Sequence, residues 1–296
     1  MFYVLKFSLY FRFIYFILNH MQSKFLECEA ELGVELSKLD LGSSLSQEEI
    51  QVIRNLWLKR GVAVFPNQEL SHEHLENFSL LFGKFGDDPY LSSLEDRPNI
   101  VEVKRSANEK ATPFGGSWHS DWSFQVQPPS ATFLHSKVIP PVGGDTLFAN
   151  TQKAYEELDD ETKNKIKDLT VIHSAELPYA DDGFYATETE ERSMKILPSK
   201  KAKETQSHPL VKIHPETNKE CLFINPVYTS YIEDMSKEDS FLLLSFLYEH
   251  MTQEKYIYRH KWSEDMLVMW DNRTVIHQAE GGYDGYDRLL HRITIS

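Results

Sequence analysis

Cysteine is nearly absent from this chain: only Cys28 and Cys221 occur in 296 residues. Two cysteines make no disulfide framework, and a reducing, cytoplasmic compartment fits them. Basic charge is scarce too. Lys and Arg total 31 against 45 Asp and Glu, a formal net charge of −14. That balance excludes a nucleic-acid surface, which needs a basic stripe. The cluster Lys200-Lys-Ala-Lys203 lies in a polar stretch and reads as a solvated loop. No internal repeat and no linker divides the chain, so residues 21–296 read as a single domain. With 41% hydrophobic and 26% charged residues, such a chain can bury a core without covalent staples.

Long hydrophobic runs are missing except at the start. Met1 to Leu18 is apolar apart from Lys6, Ser8 and Arg12. It is barely long enough to span a bilayer, and two cations inside a span are costly. No small-residue cleavage site follows, and Met21 offers a second start. Residues 1–20 are therefore read as a leader outside the fold. An interfacial anchor and a signal segment are the alternatives, and membrane contact is expected only if the leader is retained.

Ser46-Gln-Glu-Glu49 is a capping box. It opens a helix running to about Arg60, closed by Gly61. Val62–Phe65 follows as a strand, and a helix from Ser71 ends near Gly83. Short strands then dominate: Ile100–Val103, Ser117–Phe124, Ala131–Val138, Thr146–Ala149, Val171–Ser174, Leu210–Ile213, Cys221–Ile224, Met266–Trp270, Thr274–His277 and His291–Ile295. Helices are expected at Gln152–Asp168 and Lys237–Met251. Many short strands with turn signals between them predict a β-sandwich or barrel with flanking helices. The polar stretch from about Leu177 to Ser207 reads as a loop, either a lid or a surface insertion.

The chemistry begins with H-x-[DE] pairs, of which the chain has three, a chance-level number: His74-Leu-Glu76, His119-Ser-Asp121 and His214-Pro-Glu216. His74 lies in an amphipathic helix, where i and i+2 diverge around the axis. His214 reads as the solvated tip of a hairpin. His119 stands in Gly116-Ser-Trp-His-Ser-Asp-Trp-Ser-Phe124. If that stretch is extended, His119 and Asp121 project from one face. A third ligand from elsewhere would complete a two-histidine, one-carboxylate face with open positions, suited to non-haem Fe(II) oxygen chemistry. Near the C terminus stand Met269-Trp-Asp-Asn-Arg-Thr-Val-Ile-His277 and Arg288-Leu-Leu-His-Arg292. Arg288 and Arg292 would share one strand face, and if turned inward they need anionic partners.

Five blocks in order carry a resemblance: Trp118-His-Ser-Asp121, Gly143-Gly-Asp-Thr-Leu147, His208-Pro-Leu-Val211, Trp270-Asp-Asn-Arg273 with His277, and Arg288 with Arg292. From about residue 24 onward the chain resembles the TauD/TfdA family of Fe(II)- and 2-oxoglutarate-dependent dioxygenases. The resemblance implies a mainly β fold with a double-stranded β-helix (jelly-roll) core. It implies Fe(II) held by His119, Asp121 and His277, with 2-oxoglutarate and O2 as co-substrates. Thr146 and Arg288 match the positions that meet the distal carboxylate of 2-oxoglutarate, and Arg suits that carboxylate as a planar fork. Arg292 matches the arginine that holds the substrate's acid group in taurine dioxygenase, while Tyr228 and Phe124 fall at aromatic pocket positions. The expected reaction is hydroxylation of a small anionic substrate, a sulfonate or carboxylate, with release of succinate and CO2. Related halogenases replace the ligand carboxylate with a small residue, so Asp121 argues for hydroxylation.

Two departures bear on the substrate. Taurine dioxygenase has an asparagine four residues before its first iron histidine, where this chain has Gly115. No histidine in Asp87-Asp-Pro-Tyr90 replaces the family's second sulfonate contact. The taurine pocket is thus half present. Two other readings stay open on sequence: a jelly-roll binding protein for a small acid without turnover, and a zinc hydrolase, which would leave Thr146 and Arg288 without a role. A homo-oligomer is compatible with the sequence.

Overall fold

The computed structural model describes residues 25–27 and 31–296. The apolar leader, Met21 and Cys28 lie outside the described residues. Sixteen strands are described, β1 (Phe25–Glu27), β2 (Val34–Leu36), β3 (Val62–Phe65), β4 (Ser93–Leu94), β5 (Arg97–Arg105), β6 (Ala131–Val138), β7 (Thr146–Asn150), β8 (Thr170–Ser174), β9 (Thr205–Pro209), β10 (Val211–Ile213), β11 (Glu220–Leu222), β12 (Thr229–Ile232), β13 (Ile257–His260), β14 (Leu267–Asp271), β15 (Val275–Ala279) and β16 (Arg288–Ile295). An eight-stranded sheet runs β1-β2-β3-β14-β6-β16-β5-β4, and three-stranded sheets run β13-β7-β15 and β12-β8-β9. β10 pairs with β11 in a hairpin.

Period-2 alternation sorts the strand residues into layers. Val62, Val64, Val268 and Trp270 of the large sheet join one buried cluster with Phe148 of β7 and Val275 of β15. Their neighbours Ala63, Phe65, Leu267 and Met269 join a second cluster with Ile53, Trp57, Leu75 and Phe78. Those last four belong to helices α1 (Gln47–Arg60) and α2 (His72–Ser79). On the far side, Ala149 and Ile276 pack against helices α3 (Thr151–Glu156), α4 (Asp160–Ile166) and α7 (Lys237–Met251). The order is therefore helices, large sheet, small sheets, helices: a jelly-roll sandwich with both faces of its sheets covered. This explains why Val62-Ala-Val-Phe65 reads as a continuous apolar run instead of an alternating one.

Several elements match the sequence reading. Ser46 accepts from the Glu49 amide and the Glu49 side chain returns to the Ser46 amide, completing the capping box, and Gly61 closes α1 at φ 66°. β3, β6 and α7 have the expected bounds. Others differ. Ser117–Phe124 is not a strand. It contributes one bridge, His119 to His277, and then turns, because Trp122 takes a left-handed φ of 46° to bury its ring. The helix expected over Gln152–Asp168 is two helices, since Asp159 accepts from the Thr162 amide and caps a new start. The stretch 177–207 is structured: short helices α5 (Glu176–Tyr179) and α6 (Phe184–Thr187), a 3₁₀ turn at Lys200–Lys203, and the beginning of β9. Among the described residues, no helix is long and apolar enough to cross a membrane.

Candidate metal centre and its pocket

His119 and His277 are locked together by their backbones. The His119 amide donates to the His277 carbonyl at 3.0 Å, and the His277 amide donates to the His119 carbonyl at 2.7 Å. The bridge adds the His119 segment to the edge of β15 and sets the two imidazoles 4.1 Å apart, centroid to centroid. The turn that follows brings in Asp121. Its Oδ1 lies 3.6 Å from His119 Nε2 and 4.0 Å from His277 Nε2. All three residues are buried, and their ligand atoms lie within 4.8 Å of one another. The i, i+2 pair thus converges as expected, through a bridge and a turn instead of a continuous strand.

The protonation pattern suits a cation. His119 Nδ1 is 2.7 Å from the Ser117 carbonyl. A carbonyl can only accept, so Nδ1 carries a hydrogen and Nε2 is the ring nitrogen turned toward Asp121. Burial, with the His119 ring alongside, lowers the His277 pKa to about 3, so its ring is neutral at physiological pH. Desolvation works against ionised Asp121, but Arg292 and the two histidines outweigh it and hold its carboxyl well below the usual range. Two imidazoles and one carboxylate are a donor set that fits Fe(II).

A buried hydrogen-bond chain that the sequence reading did not find aims this carboxylate. Thr132 Oγ1 donates to Asp121 Oδ2 at 2.6 Å, Asn272 Nδ2 donates to Thr132 Oγ1 at 2.8 Å, and Trp270 Nε1 donates to Asn272 Oδ1 at 3.0 Å. Oδ2 is thereby engaged and Oδ1 is left toward the histidines. Asn272 stood inside the Trp270-Asp-Asn-Arg273 block, which was its only sequence signal. Partners of this kind usually contribute 10- to 100-fold to metal affinity. Thr132→Val is therefore expected to weaken Fe(II) binding by roughly 10–100-fold, read by metal titration. Unchanged affinity would show that the hydroxyl does not orient Asp121.

The rival pairs fall away on geometry. His74 is on α2, and its partner Glu76 is bound to Arg97 at 2.8 Å. His214, expected at a solvated tip, is instead 1% exposed, with Nε2 3.0 Å from Asp271 Oδ2. The reason is that Asp271 ends β14 in the interior and needs a partner there. The neighbouring Glu216 is taken by Arg54 and Arg273.

Arg288, Leu290 and Arg292 lie on the inner face of β16, and both arginines are buried. Thr146, at the start of β7, is buried and accepts from Trp262 Nε1 at 3.0 Å. Arg288 is held in a tight passage. Gly144, at φ +71°, approaches so closely that a Cβ there would lie 3.3 Å from Arg288 Nε, while a Cβ on Gly143 would meet the Gly281 and Gly282 carbonyls at 2.6 Å. The Gly143-Gly144 pair is thus required by space as well as by conformation.

Beside His119 opens a cavity of about 340 Å³, lined among others by Phe114, Gly115, Tyr179, Phe184, Tyr185 and Tyr228. None of the residues lining it is an aspartate, glutamate, lysine or arginine. Gly115 stands against the His119 ring, where a Cβ would be 3.4 Å from Cε1. Leu177 to Tyr185, from the stretch read as a lid or insertion, form part of the wall. Burial raises the pKa values of Tyr179 and Tyr228 well above the ordinary range, so both phenols stay protonated. Phe124 does not line this cavity. It packs behind Tyr228, ring centroids 5.1 Å apart, and supports the wall from outside.

The model of the family described as "Taurine catabolism dioxygenase TauD, TfdA family" matches residues 23–294. An alkylsulfatase of Acinetobacter baylyi is 33% identical over 267 residues, covering 90% of this chain and 82% of that protein. An alpha-ketoglutarate-dependent 2,4-dichlorophenoxyacetate dioxygenase of Cupriavidus pinatubonensis is 31% identical over 279 residues, covering 88% of this chain and 93% of the relative. Among solved structures, AAD-2 in complex with Mn(II) and N-oxalylglycine superposes with a TM-score of 0.78 at 27% identity, over 92% of this chain and 96% of its own.

Proposed function

The chain belongs to the TauD/TfdA family of dioxygenases, and we propose on that footing that His119, Asp121 and His277 hold its iron while Arg288 and Thr146 hold its 2-oxoglutarate. The protein is a 2-oxoglutarate-dependent non-haem iron dioxygenase, using Fe(II), 2-oxoglutarate and O2. It couples hydroxylation of a small organic substrate to release of succinate and CO2. The substrate we propose is an organic acid, a sulfonate, sulfate ester or carboxylate, like those of the named relatives.

The observation that carries the assignment is a contrast within one face of the fold. Three ligand atoms cluster within 4.8 Å, and on the same face Arg288 is buried without a carboxylate partner among the described residues. Its Nη2 reaches only the Gly144 carbonyl, at 3.3 Å, and its Nε has no acceptor. Burial lowers its pKa from the ordinary value. A buried, unanswered guanidinium is expensive, and an incoming dicarboxylate answers it.

Each residue then has a separable task. His119 and His277 would present Nε2, and Asp121 Oδ1, to Fe(II). Three protein ligands leave open positions, where bound iron supplies oxygen activation coupled to decarboxylation. Arg288 pairs with the distal carboxylate as a fork. The Thr146 hydroxyl, fixed by Trp262, is free to donate to the same carboxylate. Tyr228 stands edge-on to His119 at 6.3 Å and, with Tyr179, excludes water from the ligand side of the cluster.

The test is spectroscopic and kinetic. Anaerobic addition of Fe(II) and 2-oxoglutarate should give a weak visible charge-transfer band, and a wild type without it refutes the assignment. Arg288→Gln is expected to raise KM for 2-oxoglutarate by roughly 100-fold, about 3 kcal/mol, as for loss of one member of a buried charge pair. A KM within threefold of wild type would remove Arg288 from that role.

A further inference from the structure

Arg288 and Arg292 are four residues apart on one strand, both buried, but their charges are answered differently. Arg288 has no carboxylate partner among the described residues. Arg292 is already taken: Nη1 is hydrogen-bonded to Asp88 Oδ1, and Nη2 lies 3.2 Å from Asp121 Oδ1. Asp88 is itself fixed from two other sides. Trp122 Nε1 donates to Oδ1 at 2.7 Å, and Thr294 Oγ1 donates to Oδ2 at 3.2 Å. The Trp122 ring also carries the Arg292 guanidinium at 5.0 Å from its centroid. Trp122 and two residues of β16, Arg292 and Thr294, thus converge on one carboxylate.

This arrangement bears on substrate choice. An acid group brought to Arg292 would find its charge balanced by a carboxylate that cannot swing away without abandoning three donors. It would share the guanidinium with a like charge in a buried site. When Asp121 is engaged by a metal, Asp88 remains and keeps the balance. No lysine or arginine is among the residues that line the cavity beside His119.

We propose that Asp88 is a specificity-determining residue: it neutralises Arg292, so the site distinguishes weakly between an organic acid and its uncharged analogue, and the aromatic wall of Phe114, Tyr179, Tyr185 and Tyr228 supplies most of the substrate's binding. The proposal rests on the active-site assignment above. It extends the substrate class to compounds with an aryl or alkyl body whose polar end is neutral.

Phenoxyacetate and phenoxyacetamide make a probe pair that differs in that charge. Their kcat/KM values, or their affinities for metal-free protein by calorimetry, should favour the acid by less than tenfold in the wild type. Asp88→Asn should move that ratio toward the acid by tenfold or more, through KM and with kcat little changed, while Asp88→Glu keeps the wild-type ratio. A wild-type preference for the acid of tenfold or more overturns the proposal, whether or not any variant folds. So does a ratio in Asp88→Asn within threefold of wild type. Failure of the underlying assignment shows separately, as a missing charge-transfer band with Fe(II) and 2-oxoglutarate, while the binding ratio still reports on Asp88.

Discussion

Asp121→Ala is expected to abolish turnover, with activity reduced by roughly 1000-fold or more, since a ligand should matter more than the outer partners that contribute 10–100-fold. Asp121 is the only carboxylate in the three-residue cluster. Removing it leaves two imidazoles, a set with no negative charge to attract a divalent cation. The charge-transfer band formed with Fe(II) and 2-oxoglutarate should disappear with the activity. Stability should fall too, because Arg292, 4% exposed, loses one of its two anionic neighbours. Breaking a buried pair costs about 3–5 kcal/mol, and the surviving Asp88 contact places this case near the lower end. Asp121→Asn isolates the charge from the side chain's bulk: it keeps the shape and the Thr132 hydrogen bond and should lose the same activity. A band of unchanged intensity in Asp121→Ala would sink the metal assignment outright.

Acid should begin to destabilise this protein near pH 6.5, above the ordinary carboxylate range. Burial lowers His173 and His260 to about 3, and His208 and His291 to about 4, from an ordinary 6.5. Each is neutral in the fold and gains a proton on unfolding at any pH between those values. Their contribution to stability is therefore whole above about pH 6.5 and is lost as pH falls toward 4. The slope is about 1.4 kcal/mol per pH unit for each histidine. His173 and His260 alone, the most deeply buried of the four, make about 3 kcal/mol per unit, so two units approach the 5–15 kcal/mol by which domains are usually stable. Asp121 and Asp271 act elsewhere. Their carboxyl pKa values are lowered in the fold, so what they contribute is intact above the ordinary carboxylate range and lost only below it. Thermal unfolding by circular dichroism should show Tm falling steeply between pH 6.5 and 4.5. A Tm unchanged across that range would contradict the burial of these rings. A His173→Gln, His260→Gln double variant should show a shallower decline.

The parts of the fold that were legible in the sequence are those with a local cause. The Ser46–Glu49 box and Gly61 bound α1 because caps depend on residues three or four apart. Ala131–Val138 and Lys237–Met251 are long enough for their apolar content to fix type and bounds. The short strands β2, β9, β12 and β13 were missed, since three to five residues carry little pattern and their pairing comes from partners distant in the chain. The turn at Trp122 was hidden for a different reason: a tryptophan with positive φ is a poor local choice, sustained by the ring's place under Arg292 and beside Asp88. Asp88 left one signal, the absence of a histidine in Asp87-Asp-Pro-Tyr90.

By itself, the sequence determined the type of chemistry. His119, Asp121, His277, Thr146 and Arg288 stand in an order and with side chains that suit the metal face and dicarboxylate fork proposed above, and donor chemistry is a property of the residues themselves. What only the tertiary structure decided is the electrostatic state of two arginines that the sequence presents as equals. Among the described residues Arg288 is left without an anion, and Arg292 is matched to Asp88 across 204 residues. Charge compensation acts through space and depends on which groups are buried together, so no spacing along the strand could show which arginine remains open to a ligand.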